Sequence, residues 1–169
     1  MELCPPAFQE TDRARLRADL VDKVLSWQMG PTGLVLYGDT GGGKTRTLWL
    51  LLRRLVVDEA IHVRVLSAFD FSAEASDAYR NGTEKAFVST LAGSVGVLVI
   101  DDLGKAKITA RVAEALFEIV DRRTAAGRPL IVTTNDVGER LKERFEDQNA
   151  AEPLLRRLRE FCAAINFRR

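Results

Sequence analysis

Apolar residues along this chain fall into two kinds of run that alternate. Short dense runs at 34–37 (LVLY), 61–66 (IHVRVL), 95–100 (VGVLVI), 130–134 (LIVTT) and 163–167 (AAINF) read as strands. The first is continuous rather than alternating, as a strand covered on both faces should be. Between them, apolar positions recur at helical spacing. Residues 13–25 place Leu16, Leu20 and Val24 on one stripe, with Thr11 or Asp12 available as a cap. Residues 44–58 form a second helix, and 69–91 hold two short ones parted at Asn81-Gly82. Residues 108–126 align Val112, Leu116 and Ile119/Val120 and stop at Gly127. Residues 137–145 and 153–162 complete the helices, and 145–152 (FEDQNAAE) reads as a polar loop. The first dozen residues, with Pro5-Pro6, read as an irregular arm, and 30–33 (GPTG) as a turn. Strand–helix alternation predicts an α/β fold, a parallel sheet between helical layers. Residues 1–30 are assigned to an arm and helix, and 31–169 to a single core domain.

The chemistry sits where strands end. Gly38-Asp39-Thr40-Gly41-Gly42-Gly43-Lys44-Thr45 fits the phosphate-loop pattern G-x-x-x-x-G-K-[ST] at every position. A strand precedes it and a helix follows. Glycines let successive N–H groups turn toward a phosphate, and the helix N-terminus adds positive dipole. Lys44 is placed to reach the β- and γ-phosphates of ATP and Thr45 to put its hydroxyl on Mg2+. About 55 residues on, the run 97–100 ends in Asp101-Asp102. Asp101 is expected to hold Mg2+ and Asp102 to orient or activate the attacking water. At the tip of 130–134, Asn135 is the candidate γ-phosphate sensor, with Thr134 second; the alternative is that Asn135-Asp136 caps a helix at Val137. In 153–159 (PLLRRLR) the leucines share a stripe and the arginines face away, which fits either a solvated basic face or an arginine finger lent to a neighbouring subunit.

Composition narrows the class. The chain has 169 residues, 25 Lys+Arg against 24 Asp+Glu, and 46% hydrophobic residues. That suits one globular domain, long enough to bury roughly 70% of its unfolded surface without disulfide or metal. A net charge of +1 excludes a uniformly basic nucleic-acid binder but leaves room for local basic faces. Residues 151–169 carry five arginines and two glutamates. Two cysteines, Cys4 and Cys162, read as reduced thiols, and the single His62 excludes a His-rich metal site. The chain has neither a membrane-length apolar run nor a signal-peptide start, so a cytoplasmic location is expected.

Four segments, 38–46 (GDTGGGKTR), 97–104 (VLVIDDLG), 129–135 (PLIVTTN) and 154–162 (LLRRLREFC), together resemble an AAA+ ATPase of the DnaC/IstB-like group, the bacterial helicase loaders and transposase helper ATPases. Asp-Asp-Leu-Gly is characteristic of that group, where most AAA+ proteins carry Asp-Glu. Pro5-Pro6-x-Phe8 and Trp27-x-x-Gly30-Pro31 resemble the entry to its ATPase core. The resemblance implies a P-loop NTPase with five parallel strands in the order 5-1-4-3-2. It implies ATP hydrolysis with Mg2+, self-assembly with nucleotide between subunits, and contact with single-stranded DNA. It places Arg46 with the nucleotide site, Asn135 at the first sensor and Arg157 at the finger position, with Arg156 and Arg159 as alternates. The leading expectation is DNA replication as a helicase loader. A transposition helper, a small-molecule P-loop kinase and a nucleotide-gated module with little hydrolysis are the alternatives. A kinase predicts an arginine-rich lid between Asp102 and Thr134, and none is seen there. About 30 residues precede the first strand, so no helicase-gripping domain is expected there, and no helical lid or second sensor is expected after the core. Candidate DNA-facing cations are Arg46, Lys105, Lys107, Arg122, Arg123 and Arg128. Aromatics are 7% of the chain, so contact with backbone phosphates is expected rather than base stacking.

Overall fold

Five strands, β1 (Gly33–Tyr37), β2 (Val63–Ser67), β3 (Val97–Asp101), β4 (Leu130–Thr134) and β5 (Cys162–Asn166), pair in one sheet of order β2-β3-β4-β1-β5 in the computed structural model, which describes residues 4–168. All four pairings are parallel, and the order is the expected 5-1-4-3-2 read from the opposite edge. The inner strands bury both faces: Leu36, Val97, Leu98, Val99 and Ile131 are fully inaccessible. Their continuous apolar runs follow from that double burial. The outer strand β5 instead leaves Ala163 and Ala164 exposed.

Two helical layers cover the sheet. One holds α4 (Ala68–Arg80), α5 (Glu84–Ser89), α6 (Ala110–Ala125) and α8 (Gln148–Phe161), around a core that includes Phe71, Leu98, Ile100, Leu116, Leu154 and Leu158. The other holds α2 (Ala18–Leu25) and α3 (Lys44–Arg53), around Leu20, Val24, Leu34, Leu48, Leu51 and Val99. The short helix α1 (Pro6–Gln9) lies on this second side, where Phe8 stacks on Trp49 with ring centres 6.4 Å apart. Arm and α2 therefore share one core with the strands. Among the described residues, no helix is long and apolar enough to cross a membrane.

The elements differ from expectation at their ends. Asp12 does cap, accepting from Ala14 N–H, but it caps only a 3-10 turn at Arg13–Arg15, and α2 starts afresh at Ala18. Leu16, in the break, turns toward the phosphate loop instead of joining Leu20 and Val24. The helix after the loop is α-helical to Arg53 and ends in a π-helical turn, Arg54–Asp58. The helix expected over 137–145 shrinks to α7 (Glu139–Lys142). The stretch read as loop, 145–152, already contains the start of α8, capped by Asp147 accepting from Asn149 N–H. Pro153 lies inside α8 and forfeits one ladder hydrogen bond. Burial of Ala151, Leu154, Leu155 and Leu158 against the sheet offsets that loss.

One expected surface cation is not at the surface. Arg123 is 0% exposed and donates to the carbonyls of Leu91, Val95, Gly96 and Pro129 at 2.7–3.0 Å. Its guanidinium closes the ends of a π-helical turn (Thr90–Ser94) and two strand-entry loops, which withdraws it from the list of DNA-facing residues. Burial lowers its pKa to about 10, so it stays cationic at neutral pH.

Candidate nucleotide-binding site

The sheet register gathers the motif residues. Tyr37 pairs with Thr134 and Ile100 with Val132, so β1, β3 and β4 end side by side. Gly38, Asp101 and Asn135, up to 97 positions apart in sequence, thus meet at one edge. Beyond it opens a cleft of about 660 Å3, lined by Thr40 to Arg46, Asp102, Lys105, Asn135 and Phe167, and by the arm at Ala7, Phe8 and 15–17.

The phosphate loop needs glycine at two crowded places. Gly43 has φ +88°, and a Cβ there would sit 2.8 Å from Leu16 Cδ2. Gly38 has φ +141°, and its Cβ would come within 2.7 Å of backbone atoms of Phe167 and Arg168. Both conformations cost an L side chain strain. The arm and the segment after β5 therefore brace the loop from both sides.

Lys44 is the electrostatic centre. It is 5% exposed, and its Nζ donates to Gly38 O (2.8 Å), Asp39 O (2.9 Å) and Asn135 Oδ1 (2.7 Å). Burial pulls its pKa below the usual lysine range, while Asp102, Asp39 and Asp101 push it back up. Asn135 Nδ2 donates in turn to Thr40 Oγ1 at 3.3 Å. Asn135 thus bridges the tip of β4 to the phosphate loop, and the helix-cap alternative is not what its side chain does. Thr134, the second choice, is 1% exposed. Its hydroxyl contacts Leu103 O and Asp136 O and accepts from Asp136 N–H, so it holds the turn and lies outside the cleft. A β4 side chain alternates in and out, and Asn135, the candidate sensor, falls one residue past the strand.

Asp101 accepts from the Thr133 hydroxyl, and its Oδ1 lies 3.4 Å from Thr45 Oγ1. Burial raises its pKa above the carboxylate norm, the Thr133 hydrogen bond opposes this, and neighbouring Asp102 adds to the rise. A half-buried carboxylate beside a hydroxyl is a hard oxygen pair suited to magnesium, which takes one or two protein oxygens and completes its shell with phosphate and water. Asp102 adopts φ +57°, a left-handed conformation that aspartate tolerates better than most residues. Its N–H donates to Thr133 Oγ1 at 2.8 Å, and its Oδ2 lies 3.2 Å from Lys105 Nζ.

The remaining candidates are arginines. Arg46 lines the cleft beside the arm: Nη1 donates to Ala7 O at 3.2 Å and the guanidinium lies 5.6 Å from the Phe8 ring centre. Arg157 lies outside the cleft of its own chain, where Nη2 donates to Asp121 Oδ1 on α6 at 2.6 Å and the guanidinium sits 5.6 Å from the Phe161 ring centre. Arg156 is exposed, and Arg159 lies 3.5 Å from Glu152. Sequence reasoning did not find Leu16, Thr133, Lys105 or Phe167 as parts of the site. Thr133 had a signal, a hydroxyl inside an apolar strand next to the sensor; Leu16 and Phe167 had none short of the tertiary fold.

A family model described as IstB-like ATP binding protein matches residues 7–168. An ATP-binding protein in an insertion sequence of Mycobacterium tuberculosis is 29% identical over 139 residues, covering 79% of this chain and 53% of that protein. The chain thus spans about half the length of this curated relative. Among solved structures, DnaI superposes with a TM-score of 0.74 at 17% identity, covering 97% of this chain and 94% of that one. The DnaC helicase loader gives 0.69 at 20% identity, covering 88% and 85%. AMPPCP-bound DnaA from Aquifex aeolicus gives 0.73 at 18% identity, covering 97% and 51%. At these identities the likeness shows a shared fold.

Proposed function

Because the chain belongs to the family of IstB-like ATP-binding proteins, we propose that it is the motor core of a transposition helper that hydrolyses ATP when its copies assemble on DNA. The observation that carries the hydrolytic reading is the meeting of Lys44, Asn135, Thr45, Asp101 and Asp102 at one sheet edge. The phosphate loop holds the triphosphate through its N–H groups, and Lys44 exchanges its carbonyl partners for β- and γ-phosphate oxygens. Thr45 and Asp101 are the residues that would hold Mg2+, which supplies charge neutralisation at the phosphates. Asn135 keeps Lys44 aimed and is in reach of the terminal phosphate. A water oxygen attacks the γ-phosphorus, the bond to the bridging oxygen breaks, and the water's proton passes to the Asp102 carboxylate.

Arg157 is proposed to complete the site of a neighbouring copy. Its chain has no use for it in its own cleft, and a guanidinium delivered in trans can accelerate phosphoryl transfer ~10³–10⁵-fold. DNA contact falls to exposed cations such as Lys107 and Arg128, through backbone phosphates. The insertion-sequence relative favours a transposase as the partner. The Asp-Asp-Leu-Gly segment also resembles helicase loaders, and that second reading shares the same chemistry. Phosphate release measured with DNA, with and without the transposase or the replicative helicase of the same source, tests both. Stimulation by the transposase supports the first reading, stimulation by the helicase the second, and no turnover at any protein concentration refutes hydrolysis.

A further inference from the structure

Thr40 stands exposed in the phosphate loop, with its hydroxyl turned to the residue at the tip of β4. Lys44 settles which end of the Asn135 amide that hydroxyl meets. An ammonium can only donate, so the amide atom 2.7 Å from Lys44 Nζ is the oxygen. The amide nitrogen therefore faces the other way, 3.3 Å from Thr40 Oγ1. That nitrogen carries two protons. One goes to the threonine hydroxyl, which leaves the second for a ligand in the cleft that both residues line. Among the described residues, Lys44 and Thr40 are the hydrogen-bond partners of this amide, one at each end. Thr40 and Asn135 also border a hollow of about 320 Å3 beside the cleft, walled by Gly104, Asp136 and Arg144. Their contact thus stands between the nucleotide cleft and a second polar space.

We propose that Thr40 is a positioning residue that holds the Asn135 amide nitrogen at the cleft, so that its second N–H meets the terminal phosphate of ATP. This rests on the reading of Asn135 as the sensor of that phosphate. An asparagine side chain ends in a broad, two-fold torsion, so one hydrogen bond at its oxygen does not set where its nitrogen points. The contact with Thr40 sets it. Without that contact the nitrogen can turn into the hollow, where the Asp136 carboxylate is an alternative acceptor. A donor already in place when charge gathers on the phosphate oxygens costs no reorganisation at that moment. Threonine suits the task because its branched Cβ restricts χ1 and keeps the hydroxyl where the loop carries it. The hydroxyl acts on turnover through Asn135, whereas the N–H groups of the loop act on binding.

The test compares the full chain as wild type, Thr40→Val, Thr40→Ser, Asn135→Ala and the Thr40→Val/Asn135→Ala double variant. Phosphate release with DNA present gives kcat, and fluorescent-nucleotide titration gives the Kd for ATP. Valine keeps the branched shape of threonine and its backbone N–H, and deletes the hydroxyl. Thr40→Val is expected to lower kcat about three- to tenfold, the worth of one neutral hydrogen bond, with the Kd for ATP within about twofold. Thr40→Ser, which returns the hydroxyl, recovers most of the loss. The double variant is no slower than Asn135→Ala, because the tether has nothing left to hold. An unchanged kcat in Thr40→Val overturns the proposal. So does a Kd weakened in step with kcat, which would put the hydroxyl on the nucleotide itself, or a further loss in the double variant, which would mean that Thr40 works without Asn135. If Asn135→Ala turns over like wild type, the sensor reading fails and this proposal with it, whereas a slow Asn135→Ala beside an unaffected Thr40→Val strikes only the tether.

Discussion

Lys44 and Asn135, 91 positions apart, meet at 2.7 Å and join the phosphate loop to the tip of β4. The contact makes Asn135 part of the phosphate-loop hydrogen-bond network. Its amide accepts from the ammonium on one side and donates to Thr40 on the other.

Asn135→Ala is therefore expected to damage turnover more than binding. The phosphate loop and Lys44 remain, so the Kd for ATP should change by less than about threefold, while kcat should fall about 100- to 1000-fold, the usual reach of one positioned electrostatic group. Lys44→Ala should instead abolish binding. Fluorescent-nucleotide titration and phosphate release separate the two effects, and a large loss of affinity in Asn135→Ala would contradict the assignment.

The Arg157–Asp121 pair leads to a second expectation. If Arg157 serves a neighbour's cleft, Arg157→Ala and Lys44→Ala are each inactive alone. Mixed, they regain part of the wild-type rate, because some interfaces combine an intact loop with an intact arginine. The pair is half-exposed, so Arg157→Ala should cost only about 1 kcal/mol of stability. Full turnover by Arg157→Ala, or no recovery on mixing, would remove the finger role from this residue.

Much of this was legible in sequence because the inner strands are covered on both faces and must be written as unbroken apolar runs. The phosphate loop was legible because backbone N–H capture of phosphate demands its glycines in fixed positions. What was hidden depends on tertiary packing. Pro153 reads as a helix start, yet Ala151, fully buried, draws the preceding turn into α8. Arg122 and Arg123 are alike in sequence, but α6 turns the first to Glu118 at the surface and the second into four carbonyls. Asp102 looked like a free acid, and only the fold shows Lys105 folded back over it.

Arg123→Leu should accordingly be a stability variant and not a DNA-binding one. It strands four buried carbonyls, a loss of about 3–5 kcal/mol. For a domain of this length that corresponds to a fall in Tm of about 10 °C. Thermal unfolding checks the first half and DNA binding below the transition the second. An unchanged Tm with weakened DNA binding would return Arg123 to the surface list.

Cys162 carries a pH prediction. It opens β5 opposite Gly33, where a Cβ on the glycine would lie 2.8 Å from the Cys162 sulfur and 2.2 Å from Leu130 O. This tight burial pushes the thiol up to about 11 from an ordinary 9.0. Reactivity requires the thiolate, so at pH 8 about one molecule in 10³ is reactive in the folded state. In a Cys4→Ala background, thiol labelling should be negligible until the protein unfolds. The sign for stability follows from linkage. The unfolded thiol ionises near 9.0 and the folded one only near 11, so across that window the unfolded state has lost more of its protons and stability falls as pH rises. Urea midpoints taken from pH 8 to 10.5 should decline more steeply in the Cys4→Ala protein than in one that also carries Cys162→Ala. Equal slopes, or rapid labelling of the folded protein, would show that the Cys162 thiol is not buried against Gly33 and Leu130.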